Sequence, residues 1–386
     1  MKKIAIIHPQ LIEGGGSEAK ALYLAEALKD EYEVTLLTLY SSSLNRLNEC
    51  FGTNLTSSEI RIIEHPLANF FRNFRYFDAI RGAIFARFCR NFIDSFDLII
   101  STYNIMNFNK GGIQFIADFS FSDELRRNLA PQKQGLKKIF YNKNILREFY
   151  LSFCKFLSGS SSNDFRENLT VANSNWGAKI LRKEFGIESK VIYPPVAEEF
   201  MHIPWDKKED GFIYIGRIVP EKRIDFIIEV LDRVRREGFD LHFHIIGPLY
   251  NSTYAEYLKK LSKTKGDWIK LEGAKFGEEK QEFLSGHKYG ISAHPNESFG
   301  ISVAEMIKAG EIVWVPRGGG QTEIVNNEDL LYNNFEDAVS KIIAVLKDDK
   351  KQKILRIHLA KQAKKFSAER FKKEVKELVE DYFRNE

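Results

Sequence analysis

A chain of 386 residues is too long for one ordinary hydrophobic core and asks for two domains. Hydrophobic content of 44% with 28% charged residues excludes a fibrous or disordered protein, and no run approaches the ~18 consecutive apolar residues of a membrane span. A formal net charge of +4 is too small to argue for nucleic acid, and the three dispersed cysteines, Cys50, Cys89 and Cys154, match no metal spacing and suggest a reducing compartment.

In chain order, strand-like and helix-like runs alternate. Met1-Lys2-Lys3 leads, without a signal-peptide pattern, into the first of them. Residues 4–7, 34–38, 60–63, 98–101, 113–117, 169–173 and 191–193 read as strands. Most are continuous apolar runs, as in strands buried on both faces of a parallel sheet, and the alternation predicts a doubly wound α/β domain. After the first strand comes His8-Pro9-Gln10-Leu11-Ile12-Glu13-Gly14-Gly15-Gly16-Ser17-Glu18, then a helix with Ala21, Leu24, Ala25 and Leu28 facing inward. Gly15 and Gly16 let backbone approach a ligand, and a first-strand loop sits at the ligand crevice of such a fold. The alternative is a flexible connection.

Two stretches of the first half are rich in both aromatics and cations. In residues 70–96, Phe77, Ile80, Ile84, Phe88 and Phe92 form one helical stripe, with Arg72, Arg75, Arg87 and Arg90 on the other side and Arg81 breaking the pattern. In residues 136–157, Lys137, Lys138, Lys143, Arg147 and Lys155 interleave with Phe140, Tyr141, Phe149, Tyr150, Phe153 and Phe156. Basic amphipathic helices with aromatic faces fit an anionic membrane surface. The alternative is that the aromatics pack on the domain core while the arginines are merely solvated. Ser174 is expected to cap a helix running to Phe185, and Pro194-Pro195 with the charged run after Glu198 reads as a linker.

The second half restarts the alternation. Strands are expected at 212–215, 241–247, 268–271, 289–294 and 312–316, and the lysine-rich tail beyond residue 346 is expected to be helical with a solvated charged face. Arg217 and Lys222 follow the first of these strands closely, where open α/β sheets bind ligands; together they suit a diphosphate, the arginine by bidentate contact and the lysine as a point charge. The stretch Ser292-Ala293-His294-Pro295-Asn296-Glu297-Ser298-Phe299-Gly300-Ile301-Ser302-Val303-Ala304-Glu305-Met306 reads as strand end, tight loop and helix. The helix start offers backbone N–H groups to a phosphate, and Glu297 and Glu305 are carboxylates able to accept hydrogen bonds from sugar or ribose hydroxyls. Arg317-Gly318-Gly319-Gly320 forms one more strand–glycine turn–helix unit.

These residues together resemble a family 4 glycosyltransferase of the GT-B fold. The likeness rests on Gly14–Gly16, Asn173-Ser174, Tyr193-Pro194-Pro195-Val196, Gly216-Arg217 through Lys222, Glu297-x7-Glu305, and Gly319-Gly320 through Glu323. It implies two Rossmann-like doubly wound domains facing across a cleft, at 1–197 and 198–365, with a helix at 366–386 crossing back to the first. It implies a GDP- or UDP-sugar donor, retention of anomeric configuration, no cofactor and no obligatory metal. By position, Arg217 and Lys222 would hold the diphosphate, Glu297 the donor sugar and Glu305 the ribose. Backbone at Phe299, Gly300 and Ile301 would cap a phosphate, and Gly15 and Gly16 would line the donor from the other domain.

Within that family the segments look most like mannosyltransferases that extend lipid-linked oligosaccharides. Those usually carry a histidine where this chain has Phe115-Ile116-Ala117-Asp118-Phe119-Ser120, so Ala117 or Asp118 takes its place, and Asp118 is the candidate able to accept a sugar hydroxyl. The expectation is a hexosyltransferase, of mannose or glucose type, peripheral to the inner face of the membrane through 70–96 and 136–157, with a lipid-linked or saccharide acceptor. The alternatives are a soluble enzyme using a small sugar or sugar-phosphate acceptor and a non-catalytic nucleotide-binding protein.

Overall fold

The apolar runs of the first half assemble as parallel strands: β1 (Lys3–Ile7), β2 (Glu33–Thr38), β3 (Ile60–Glu64), β4 (Leu98–Ser101), β5 (Ile113–Ile116), β6 (Leu169–Ala172) and β7 (Lys190–Val191). They form one sheet in the order β3-β2-β1-β4-β5-β6-β7, each pair parallel. The computed structural model describes residues 1–73, 77–108, 110–129, 145–159, 164–196, 200–249 and 252–385. Parts of the two aromatic, basic stretches (74–76 and 136–144) and the start of the expected linker (198–199) lie outside the described residues. The chain divides into two units, Met1–Pro195 with Ala368–Glu386, and Val196–Ser367.

Alternation along β1 sorts the first unit's core into two layers. Ile4 and Ile6 pack with Leu24 and Leu28 of helix Gly16–Leu28 and with Phe371, Val375, Leu378 and Val379 of the C-terminal helix Ala368–Arg384. Ala5 and Ile7 pack on the other face with Phe71, Phe85, Phe88 and Phe108. Burying each of the four apolar side chains of the C-terminal helix contributes on the order of 2 kcal/mol, so that helix belongs to this core. Its lysines are not all a solvated face: Lys372 pairs with Glu26 at 2.5 Å and Lys376 with Glu31 at 2.6 Å.

The stretch 70–96 keeps part of the expected stripe, with Ile84, Phe88 and Phe92 packed on the core, but not its start. Phe77 sits ahead of helix Asp78–Arg90 in the left-handed region (φ 60°) and is exposed, so the buried face falls on Ala83, Phe85, Phe88 and Cys89. Arg81, the residue that breaks the sequence pattern, lies over the Tyr40 ring, and Arg72 donates to the Ser41 carbonyl at 2.9 Å. The aromatics of this helix therefore pack on the core, but Arg81 and Arg72 are not merely solvated. Helix Ile145–Ser158 packs against it and leaves Ile145, Leu146, Phe149, Phe153 and Phe156 exposed. Among the described residues no helix is long and apolar enough to cross a membrane.

The second unit has β8 (Glu209–Ile215), β9 (His242–Ile246), β10 (Ile269–Gly273), β11 (His287–Ile291), β12 (Ile312–Pro316) and β13 (Leu331–Tyr332), in the order β10-β9-β8-β11-β12-β13, all parallel. Counted within its own unit, each sheet runs 3-2-1-4-5-6, the first extended by a seventh strand, with its topological switch between β1 and β4 or between β8 and β11. Helix Ile224–Arg236 buries Ile224, Ile227, Ile228, Val230, Leu231 and Val234 at helical spacing. The strand expected at 289–294 ends at Ile291, and two-residue β13 is too short to show a sequence pattern.

Candidate functional site

In the second unit the loops at the carboxyl ends of β8, β11 and β12 converge. Gly216 follows β8 and Gly247 follows β9; a Cβ on Gly247 would lie 1.9 Å from the Gly216 carbonyl oxygen, so the β8 and β9 loops meet backbone to backbone. Arg217 comes next, exposed, its carbonyl accepting the Tyr214 hydroxyl at 3.0 Å. A short turn, Pro220–Lys222, then carries Lys222 into an ion pair with Glu297. Burial works against charge on Glu297; Lys222, then His294 and Arg217, outweigh it and hold the carboxyl below the usual range. Burial pushes His294 down, as does Lys222, and its buried Nδ1 has no hydrogen-bond partner among the described residues. Arg217, Lys222, His294 and Glu297 thus form one electrostatic cluster.

Glycine fixes the position of the Glu297 loop. Gly318 and Gly319 adopt φ 155° and 71°; a Cβ on Gly318 would lie 2.5 Å from the Pro295 oxygen, and one on Gly319 would lie 2.3 Å from that of Glu297. Gly320 N–H donates to the Glu297 carbonyl at 2.7 Å, and Gln321 Nε2 to that of His294 at 2.6 Å. The turn after β12 therefore lies flat on the loop after β11. Gly300 (φ 102°) opens helix Ile301–Lys308, and Phe299 is buried with its ring against Phe366. Glu305, inside this helix, accepts from Lys280 at 2.8 Å. Lys280, on helix Gly277–Gly286, was not anticipated; nothing in its local sequence distinguishes it from a solvated helix lysine.

The first unit holds a second polar cluster at its own switch point. His8 leaves the end of β1 and its Nδ1 lies 2.7 Å from Thr102 Oγ1, just beyond β4. Its Nε2 is 4.0 Å from Glu18 Oε1, and Ser17 donates to Glu18 Oε2 at 2.8 Å. Burial opposes charge on Glu18, but the His8 ring and the Ser17 hydroxyl hold its carboxyl below the usual range. A Cβ on Gly15 would lie 1.8 Å from Glu18 Oε2, so the glycine loop makes room for this carboxylate, while Gly16 opens the helix. One turn on, Lys20 is buried; burial lowers its ammonium to about 7 against the pull of Asp118 and Glu18. Asp118 accepts from Asn104 Nδ2 at 3.2 Å and from the Ser120 N–H at 2.8 Å. Ala117 contributes backbone alone, donating to the Tyr103 carbonyl and accepting from Asn173. Asp118, then, is the member of that pair with a side chain in the cluster. His8, Lys20 and Thr102 were missed as site residues. His8 was visible as the first polar residue after a buried strand, and Lys20 as a cation at a helix position flanked by apolar ones.

The second unit is also the more familiar part of the sequence. The family described as "Glycosyl transferases group 1" matches residues 196–366. A GDP-Man:Man(3)GlcNAc(2)-PP-Dol alpha-1,2-mannosyltransferase of Candida glabrata is 26% identical over 53% of this chain and 41% of that protein. The Mus musculus protein of the same description is 24% identical over 82% of this chain and 73% of its own length. A probable sucrose-phosphate synthase of Thermosipho melanesiensis is 24% identical over 50% and 46%. This chain thus spans less than half the length of the Candida and Thermosipho relatives. Among solved structures, Anabaena HepE in complex with UDP and glucose aligns with a TM-score of 0.71 at 14% identity, covering 98% of this chain and all of that one. The sucrose-phosphate synthase of Thermosynechococcus elongatus aligns with a TM-score of 0.71 at 15% identity over the whole of both chains. The fold is GT-B, built from two parallel-sheet Rossmann-like units.

Proposed function

We propose that this chain is a retaining glycosyltransferase of family 4 type. It moves a hexosyl group, mannose or glucose, from a GDP- or UDP-sugar to a lipid-linked glycan or other membrane acceptor. The observation that carries the reading is the Lys222–Glu297 ion pair beside Arg217, at the carboxyl ends of β8 and β11, within the segment matched by group 1 glycosyltransferases. Without donor, Lys222 and Glu297 neutralise one another. A diphosphate takes over Lys222, with Arg217 as the second cation, and releases Glu297 to accept hydrogen bonds from sugar hydroxyls. As the glycosidic bond to phosphate breaks, negative charge grows on the diphosphate, and the two fixed cations stabilise it where other transferases use a metal ion. Glu305, exchanging Lys280 for ribose hydroxyls, holds the nucleoside.

The acceptor side rests on the first unit. The named lipid-linked substrate of the mannosyltransferase relatives supports a membrane acceptor. So does the exposed face of helix Ile145–Ser158, flanked by a groove of about 720 Å³ lined by Arg87, Ser152, Lys155, Phe156 and Gly159. Asp118 is assigned to the donor sugar. A soluble enzyme with a small sugar or sugar-phosphate acceptor is the second reading, supported by the two sucrose-phosphate synthase likenesses. The test is transfer from a panel of UDP- and GDP-sugars to lipid-linked and free sugar acceptors. Turnover with Lys222→Ala and Glu297→Ala equal to the parent's would overturn the site, and turnover with free sugars alone would select the second reading.

A further inference from the structure

At the amino ends of the second unit's strands, opposite the ends that carry Arg217 and Glu297, three histidines meet on one face of the sheet. His242 and His244 are two residues apart on β9 and therefore share a face. His287 begins β11. Between these strands runs β8, where Gly211 pairs with His242; a Cβ there would lie 2.1 Å from His242 Nε2. Because Gly211 has no side chain, the rings close over β8, with centroids 4.8 to 5.2 Å apart. One ring nitrogen from each of the three lies within 4.8 Å of the others.

Hydrogen bonding fixes what these nitrogens offer. His287 Nδ1 lies 2.7 Å from the Phe283 carbonyl, which accepts only, so the ring carries its proton there and Nε2 bears a lone pair. His244 Nδ1 lies 2.7 Å from Glu272 Oε1, and an ionised carboxylate imposes the same tautomer. The Nε2 atoms of His242, His244 and His287 are all buried, with no hydrogen-bond partner among the described residues. His244 and His287 are 5% and 4% exposed, so water does not satisfy them freely. The lone pairs so assigned to His244 and His287, buried close together, repel unless a cation lies near both. A carboxylate completes the set: Glu209, the first residue of β8, has Oε2 3.4 Å from His242 Nε2 and 3.9 Å from His287 Nε2. Its carboxylate is largely exposed, which leaves an entry path.

We propose that His242, His244, His287 and Glu209 bind a divalent zinc ion that ties β8, β9 and β11 together at the end of the sheet remote from the donor loops. Three imidazoles and one carboxylate suit zinc in tetrahedral geometry, and the carbonyl and carboxylate behind two of the rings are the outer partners that orient metal-binding histidines. Zinc bonds of about 2.0–2.1 Å require nitrogen–nitrogen edges of about 3.3 Å, so the rings close by up to about 1.5 Å on loading. With all four ligands from protein the site is closed, and its role is structural.

The test uses the tag-free full chain, stripped with a chelator and titrated with zinc against a chromophoric competitor, with metal content read by mass spectrometry. One zinc per chain is expected, with a raised apparent Tm, and cobalt is expected to give the intense visible bands of a tetrahedral site. Glu209→Gln, a surface change that leaves the fold intact, and His244→Gln each weaken zinc at least ~10-fold. Absence of stoichiometric zinc at micromolar concentration, affinity unchanged in both variants, or only weak octahedral cobalt bands would overturn the proposal and leave a stack of neutral histidines. None of these readouts depends on transferase activity.

Discussion

Lys20 offers a sharp test of the first unit's polar cluster. It is buried on helix Gly16–Leu28, and burial lowers its ammonium to about 7 despite Asp118 and Glu18. In the unfolded chain a lysine titrates near ~10.4. Between these values the unfolded state binds more protons, so stability rises as pH rises through this window. The charged lysine costs the fold about 4 kcal/mol at pH 7 and about 2 kcal/mol at pH 9. Lys20→Met keeps the stem and removes the charge. Its stability gain over the parent is therefore expected to be about 2 kcal/mol larger at pH 7 than at pH 9, equivalent to about 4–8 °C in the apparent Tm of a unit of this size. Thermal melts of both proteins at the two pH values, followed by near-ultraviolet dichroism, measure it. An equal gain at both pH values would refute the reasoning, because it would mean that Lys20 titrates at its ordinary value and that its burial is compensated.

Glu305→Ala removes the partner of Lys280 and the proposed ribose acceptor; nucleotide affinity by calorimetry is expected to fall roughly tenfold, and undiminished affinity would remove Glu305 from the site. Gly319→Ala forces a side chain to φ 71° and against the Glu297 carbonyl, and is expected to cost about 1–3 kcal/mol and to displace the Glu297 loop; a melt and donor affinity both like the parent's would contradict the packing described. Glu311 is fully buried, and burial, partly offset by Lys208, raises its carboxyl well above the usual value. The native state then keeps a proton that the unfolded state loses above ~4.3, so stability falls as pH rises from there, and Glu311→Gln should stabilise at pH 7 but not at pH 4. Phe149→Ser with Phe156→Ser alters exposed residues and should change stability by less than ~0.5 kcal/mol each while lowering co-sedimentation with anionic vesicles; unchanged sedimentation would count against the membrane face.

The two parallel sheets were legible because their strands are continuous apolar runs such as Leu98–Ser101 and Ile312–Pro316, which only a sheet covered on both faces explains. The positions of Arg217, Lys222 and Glu297 in the loops beyond strand ends, and of Glu305 in the helix that follows, were legible from the strand–loop–helix pattern. The sequence by itself determined those elements, the two-unit plan and the charge types that stand in the loops after the strands. Which charges meet was decided by tertiary structure. Lys280 meets Glu305 across 25 positions of sequence, and Lys20 finds Asp118 only through the pairing of strands. Likewise His242 and His287 converge only because β9 and β11 flank the same strand, at a glycine that leaves room for both rings. Sequence periodicity reports which face a residue occupies; it carries no information on which distant residue shares that face, since strand order is set by packing.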